Sequence, residues 1–129
     1  MNVFLTGVSG QLGRALVPRL VGHDVTAPSE SQADVSSASV VDVIARAEPD
    51  VVIHAAAYTD VDGAEAHPDL AFAVNAHGSR HVAEGAAKAG ARLIAVSTDY
   101  VYDGAKPTPY REDDDTAPAS APHVVEVRT

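Results

Sequence analysis

The sequence has no cysteine and no tryptophan. Without cysteine there can be no disulfide framework and no thiolate zinc site. Aromatic residues make up only 5%, too few for the stacking platform on which single-strand nucleic-acid binders lay bases. Positive charge is scarce as well: 9 lysines and arginines stand against 18 acidic residues, for a net charge of −9. That balance repels nucleic acid and anionic membranes, so neither is expected as a partner. No apolar run approaches the ~20 residues of a membrane span, and no signal-peptide pattern is visible. A soluble cytoplasmic protein is the expectation. What remains is an ordinary globular profile, 46% apolar and 21% charged over 129 residues, enough for one domain with a core.

The chain is organised around Thr6-Gly7-Val8-Ser9-Gly10-Gln11-Leu12-Gly13. The apolar run Val3-Phe4-Leu5 before it is too short for a helix and reads as a buried strand. Arg14, Ala15, Leu16, Val17 and Leu20 after it carry helical spacing. Three glycines therefore sit on a strand-to-helix turn, the arrangement a dinucleotide needs. Gly7 permits the tight turn, Gly10 lets the backbone approach a pyrophosphate, and Gly13 lets the helix pack closely on the strand. The anion would lie against the helix N-terminus. The spacing is Gly-x-x-Gly-x-x-Gly rather than the more usual Gly-x-Gly-x-x-Gly, and no Gly-Lys-Ser/Thr closes it as a P-loop would.

Along the chain, Pro18 falls late in the first helical pattern and Gly22 reads as its stop. Asp24–Ala27 reads as a short strand ended by Pro28, and 29–39 as a polar, serine-rich loop. Val40, Val41, Ile44 and Ala47 suggest a short helix ending at Glu48, before Pro49. Asp50–Ala57 reads as a buried parallel strand running into a small-residue turn. Pro68 suits a helix start, with one alanine-rich helix expected over Asp69–Lys88 and Gly90 as its stop. Arg92–Ser97 is a fourth strand. Strand and helix thus alternate, which predicts an α/β fold: a parallel sheet with helices on both faces. From Asp103 the sequence turns proline-rich and acidic, with Asp113-Asp114-Asp115 and no helical periodicity; Val124–Val127 could add one strand.

Two more stretches lie at carboxyl ends of predicted parallel strands, where open α/β sheets bind ligands. They are Ala55-Ala56-Ala57-Tyr58-Thr59 and Ser97-Thr98-Asp99-Tyr100-Val101-Tyr102-Asp103-Gly104. With the glycine turn they resemble the dTDP-4-dehydrorhamnose reductases, sugar-nucleotide reductases of the extended short-chain dehydrogenase/reductase superfamily. The resemblance covers residues 1 to 118, and Ser-Thr-Asp-Tyr-Val is its most specific part. It implies a Rossmann-like doubly wound parallel sheet, incomplete relative to the family. Residues 1–118 would form an NAD(P)-binding domain and 119–129 a divergent tail, with the C-terminal substrate-binding part absent. The implied reaction is hydride transfer from NADPH or NADH to the C4 ketone of a dTDP-linked 6-deoxyhexose. By the same resemblance Gly7, Gly10, Gln11, Leu12 and Gly13 cradle the pyrophosphate. Asp34 and Val35 flank the adenine, Ala55, Ala56 and Ala57 pass beneath the nicotinamide ribose, and Val96 joins the cofactor site. Thr98 is the implied catalytic residue, donating to the ketone oxygen; Thr98, Asp99 and Tyr100 line the sugar pocket, and Asn75 steadies the helix behind it.

The sequence also departs from the family. The alkoxide needs a proton donor, normally a Tyr made acidic by a Lys one helical turn later. The family places this pair about two dozen residues after the catalytic Thr, where this chain reads Ala119-Ser120-Ala121-Pro122-His123. Tyr102 and Lys106 have the right separation, but Gly104 and Pro107 argue against the helix it requires. The expectation is therefore cofactor binding with impaired turnover. The alternatives are a non-catalytic nucleotide-binding regulatory module and a nucleotide-sugar epimerase or dehydratase fragment. An incomplete sheet would expose a parallel edge, which invites a homodimer. No metal is expected. His77 and His81 lack a third ligand and read as a solvated helix face, and Asp113–Asp115 read as a solvated charge run. His54 reads as a satisfied buried histidine. Coenzyme choice is open: no acidic residue sits squarely at the tip of the second strand to bond a ribose 2′-hydroxyl, Glu30 just past it is a hint of NAD, and no arginine stands there for a 2′-phosphate.

Overall fold

The computed structural model describes residues 1–118. Four strands form one parallel sheet: β1 (Asn2–Thr6), β2 (Asp24–Thr26), β3 (Val51–His54) and β4 (Arg92–Ala95), in the order β2-β1-β3-β4. The register pairs Thr6 with His54, and His54 in turn with Ala95. The carboxyl ends of β1, β3 and β4 therefore lie side by side. The strand order reverses between β1 and β3, which opens a crevice above those ends.

Side chains alternate across the strands. Phe4 and Val52 point to one side, where they join Val35, Val40, Ile44, Val82 and Ala86 in a buried core. The helices over this side are α2 (Val40–Arg46) and α5 (Gly78–Ala89). They approach closely because Gly85 has no side chain: a Cβ there would lie 3.0 Å from Ile44. Val3 and Leu5 point the other way and are buried too. Right-handed crossovers place α1 (Gln11–Leu16) on that second side, since β2 and β3 flank β1 on opposite edges. That cover is incomplete at β4, where Ile94, like Val96 just past the strand, is 49% exposed.

Three elements differ from the sequence expectation. The first helix is short: at Val17–Arg19 it tightens to a 3₁₀ turn, with Pro18 at the start of that turn. A short helix, α3 (Val61–Ala66), occupies a stretch given no structure from sequence. Asp60 caps it by accepting from the Gly63 amide at 3.0 Å. The long helix expected over Asp69–Lys88 is interrupted. It begins as α4 (Pro68–Phe72), widens to a π turn over Ala73–His77, and resumes as α5. Gly90 does end it, in the left-handed conformation at φ 69°. Glu48 also takes positive φ, 45°, where α2 turns into Pro49. The strand expected over Val124–Val127 lies outside the described residues, of which no helix is long and apolar enough to cross a membrane.

Candidate functional site

The glycine turn joins β1 to α1, and each glycine has its own reason. Gly7 adopts φ +74°, and a Cβ on it would sit 2.6 Å from backbone atoms of Ala55 and Ala56. Both the backbone angle and the neighbouring strand end therefore demand glycine. Gly10 donates to the Gly7 carbonyl at 3.0 Å and caps α1 in an extended conformation, with no side-chain cap. A Cβ at Gly13 would lie 2.2 Å from the Gly7 carbonyl oxygen. Gly13 thus packs on the backbone of the turn itself, not on the strand as expected from sequence.

Above this turn opens a cleft with about 640 Å³ of empty space, continuous with solvent. Its floor is Gly7, Gly10, Ala55, Ala56 and Ala57, none with a side chain larger than a methyl group. Thr6, Val8 and Ser9 border it on the β1 side, Val74 closes it toward the π turn, and Pro28, Glu30, Ala33, Asp34 and Val35 form the far wall. Of the residues proposed from sequence, the cleft gathers Gly7, Gly10, Asp34, Val35 and the three alanines. Gln11, Leu12, Gly13 and Val96 lie outside its lining, as do Thr98, Asp99 and Tyr100. Asp34 is held in place: its Oδ1 accepts from the Ser36 amide at 2.9 Å and from the Ser36 hydroxyl at 2.7 Å. Thr98 caps the 3₁₀ turn Asp99–Val101, accepting from the Tyr100 amide at 3.3 Å. Its own hydroxyl reaches Asp99 at a long 3.4 Å.

Behind the floor runs a buried polar chain; the sequence reading had His54 as a satisfied buried histidine, but not the partners Thr6 and Ser79 that satisfy it. His54, only 4% exposed, ends β3 beside Thr6, which ends β1. Its Nδ1 lies 2.7 Å from the Thr6 hydroxyl and its Nε2 3.2 Å from the Ser79 hydroxyl. Ser79 donates its single proton to the Asn75 carbonyl at 2.6 Å, so toward His54 it accepts. Nε2 therefore carries the imidazole proton. Burial pushes the His54 pKa down to about 4, which keeps the ring neutral, and Nδ1 accepts from Thr6. The chain continues through the Asn75 side chain, which accepts from the Tyr58 amide at 2.7 Å and donates to the Tyr58 carbonyl at 3.1 Å. Asn75 thus fixes the loop after the alanines, and it does so from within the π turn. The signal in the sequence was the pair of polar residues ending two apolar strands; only the register shows that they meet.

The remaining candidates have structural partners. His81 is buried, with Nδ1 3.0 Å from the Val35 carbonyl, so it is no part of a solvated face. Tyr102 and Lys106 share no helix: Gly104 between them has φ +73°. Tyr102 stacks on Tyr110 with centroids 4.2 Å apart. Lys106 pairs with Asp114, whose carboxyl this contact holds below the usual range. Among the described residues no three His, Asp or Glu side chains are grouped to hold a metal.

A parallel sheet in the order β2-β1-β3-β4, with a glycine turn at its switch point, defines a Rossmann-like α/β protein. Comparison with known proteins agrees. Residues 1–122 match the model of the RmlD substrate binding domain, and the chain belongs to that family. It is 49% identical over 123 residues to the dTDP-4-dehydrorhamnose reductase of Mycobacterium tuberculosis, a match covering 91% of this chain and 40% of the relative. Among solved structures it superposes on a dTDP-4-dehydrorhamnose reductase from Clostridium acetobutylicum with a TM-score of 0.93 at 36% identity, over 98% of this chain and 46% of the other. A reductase from Bacillus anthracis, solved in complex with NADP, gives 0.92 at 38% identity, over 97% and 46%. The chain thus spans less than half the length of these proteins.

Proposed function

We propose that residues 1–118 bind a nicotinamide dinucleotide, NADPH or NADH, as the cofactor domain of a reductase acting on a dTDP-linked 4-keto-6-deoxyhexose. The observation that carries this reading is the floor of the cleft. Gly7, Gly10, Ala55, Ala56 and Ala57 line the cleft past the ends of two adjacent strands with nothing larger than a methyl group, which lets a ligand approach the backbone there. The known proteins similar to this chain support it, one of them solved with NADP.

On this reading the diphosphate would lie against Gly7 and Gly10 and be held by the first-turn amides of Gln11, Leu12 and Gly13, Asp34 and Val35 would flank the adenine, and the alanines and Val96 would border the nicotinamide ribose. The dinucleotide, when bound, supplies the hydride. Thr98 gives up its long bond to Asp99 and donates to the ketone oxygen, while Asp99 and Tyr100 face the sugar. A group to protonate the alkoxide is missing from this set. No Tyr-x-x-x-Lys pair lies on a helix among the described residues, and 119–129 contain neither Tyr nor Lys. Lack of a positioned general acid costs about 10²–10⁴-fold, so these 129 residues bind cofactor but reduce substrate poorly. The reading includes a cytoplasmic location and a homodimer.

Titration of the chain with NADH and NADPH, followed by nicotinamide fluorescence, tests it. A Kd below ~1 mM for at least one coenzyme is expected. Failure of both to bind below that concentration would overturn the reading.

A further inference from the structure

One run of helix holds both sides of the cleft. Asn75, in the π turn, bonds both backbone groups of Tyr58, the residue after the alanine floor. Further along, in α5, His81 reaches the opposite wall, where its Nδ1 lies 3.0 Å from the Val35 carbonyl oxygen. A carbonyl can only accept, so Nδ1 carries the proton and donates. His81 is 8% exposed and Val35 6%, so water is kept from replacing either partner. Gly78, one turn before His81, abuts the same residue: a Cβ on it would come to 3.0 Å from Val35 Cγ2. One turn of α5 therefore meets Val35 twice, at its side chain and at its carbonyl.

The wall is otherwise self-contained. It belongs to the connection between β2 and α2, whose hydrogen bonds are local. The Gln32 and Ala33 amides donate to the Ser29 carbonyl, both at 3.0 Å. Gln32 Oε1 takes the Ser29 amide and hydroxyl, and Asp34 Oδ1 takes the Ser36 amide and hydroxyl. Among the described residues, His81 makes the single hydrogen bond between residues 28–39 and any element other than the helix that follows them.

From this we infer that His81 is a positioning residue for the dinucleotide, setting the adenine-side wall in place against the floor through the Val35 carbonyl. The inference rests on the dinucleotide reading above and deepens it. Asp34 and Val35 line the cleft and His81 does not, so His81 acts without touching the ligand. A dinucleotide spans floor and wall together, and binds tightly when both are held in register before it arrives. Without the bond the Val35 carbonyl is buried and unpaired, and the wall keeps only its local bonds. It then spends part of its time away from the binding position, and affinity falls by that fraction.

The test compares the whole wild-type chain with His81→Leu and His81→Asn. Leucine and asparagine share one branched outline, but asparagine alone offers an N–H where Nδ1 stood. Each chain is melted by circular dichroism, to establish that it is folded, and titrated with NADH and NADPH. Hydrogen exchange at the Ser36 and Ser37 amides, which bond Asp34, reports on the wall without ligand. Folded His81→Leu should bind the tighter coenzyme about tenfold more weakly than the wild type and exchange these amides about tenfold faster. His81→Asn should stay within about threefold of the wild type in both. Wild-type affinity in folded His81→Leu would overturn the inference, as would an equal loss in both variants. Should His81→Leu fail to fold, His81→Asn decides: affinity near the wild type bears the inference out, and a tenfold loss overturns it. Binding of neither coenzyme by the wild type would instead remove the dinucleotide reading, and this inference with it.

Discussion

Protonation of His54 should cost this fold stability in a defined pH window, and His54→Asn should abolish that cost. The ring is held neutral by burial, with a pKa near 4 in the folded chain against 6.5 for a free histidine. Between those values the unfolded chain binds the proton and the folded chain does not. Stability therefore rises with pH across the window, and is lost as pH falls below 6.5 until the native ring protonates near 4. For one group with these two values, going from pH 7.5 to pH 5 removes about 2 kcal/mol. Asparagine keeps one of the two bonds, its side-chain oxygen accepting from Thr6 in place of Nδ1, and it does not titrate. The folded-state shifts of Asp42, Asp103 and Asp114, lowered first by Lys88, the Ala105 amide and Lys106 respectively, act below the window. They leave it undisturbed. Urea unfolding followed by circular dichroism at pH 5 and pH 7.5 gives the comparison. The wild-type midpoint should fall by about 1 M more than that of His54→Asn, for a slope of 1–3 kcal/mol per molar urea. Equal falls in the two proteins would refute the buried neutral imidazole.

Other substitutions probe the backbone contacts. Gly13→Ala would drive a Cβ to 2.2 Å from the Gly7 carbonyl oxygen, a backbone atom that cannot step aside; a loss of about 3 kcal/mol is expected, seen as a melting point lower by about 10 °C. Gly85→Ala gains about 1 kcal/mol of helix propensity but presses on Ile44 at 3.0 Å, so thermal melting should show a net loss of about 1 kcal/mol. Glu48→Gly should raise stability by about 1 kcal/mol in the same assay, because φ 45° strains any residue with a Cβ.

The sheet was legible because each strand is a short apolar run closed by a turn signal. The order of those runs predicts parallel strands without any knowledge of their partners. The glycine turn was legible for the same reason: Gly7, Gly10 and Gly13 sit where a strand pattern gives way to a helix pattern. Local pattern failed where tertiary contacts decide. The alanine-rich stretch from Pro68 has unbroken helical spacing, yet it widens around Asn75, whose side chain holds the Tyr58 backbone. Nothing in the spacing of Val61–Ala66 suggests a helix, and Gly63 argues against one; Asp60 as a cap is the single local cue. His81 shares a helix face with exposed His77 but turns to the Val35 carbonyl, a partner 46 positions away. The Thr6–His54–Ser79 chain likewise depends on strand register and on the crossing of α5, neither of which a window of sequence contains. Val96 and Thr98 to Tyr100 were placed from resemblance, and they stand apart from the cleft lining.

The central claim is that the dinucleotide lies along the glycine turn and the alanines. Amide chemical shifts of the isotope-labelled chain, recorded during addition of NADH, test it directly. The account predicts the largest changes at Gly7 to Gly13, Glu30 to Val35, and Ala55 to Ala57. Changes confined to other surfaces, such as the loop carrying Lys106, Tyr110 and Arg111, would contradict it.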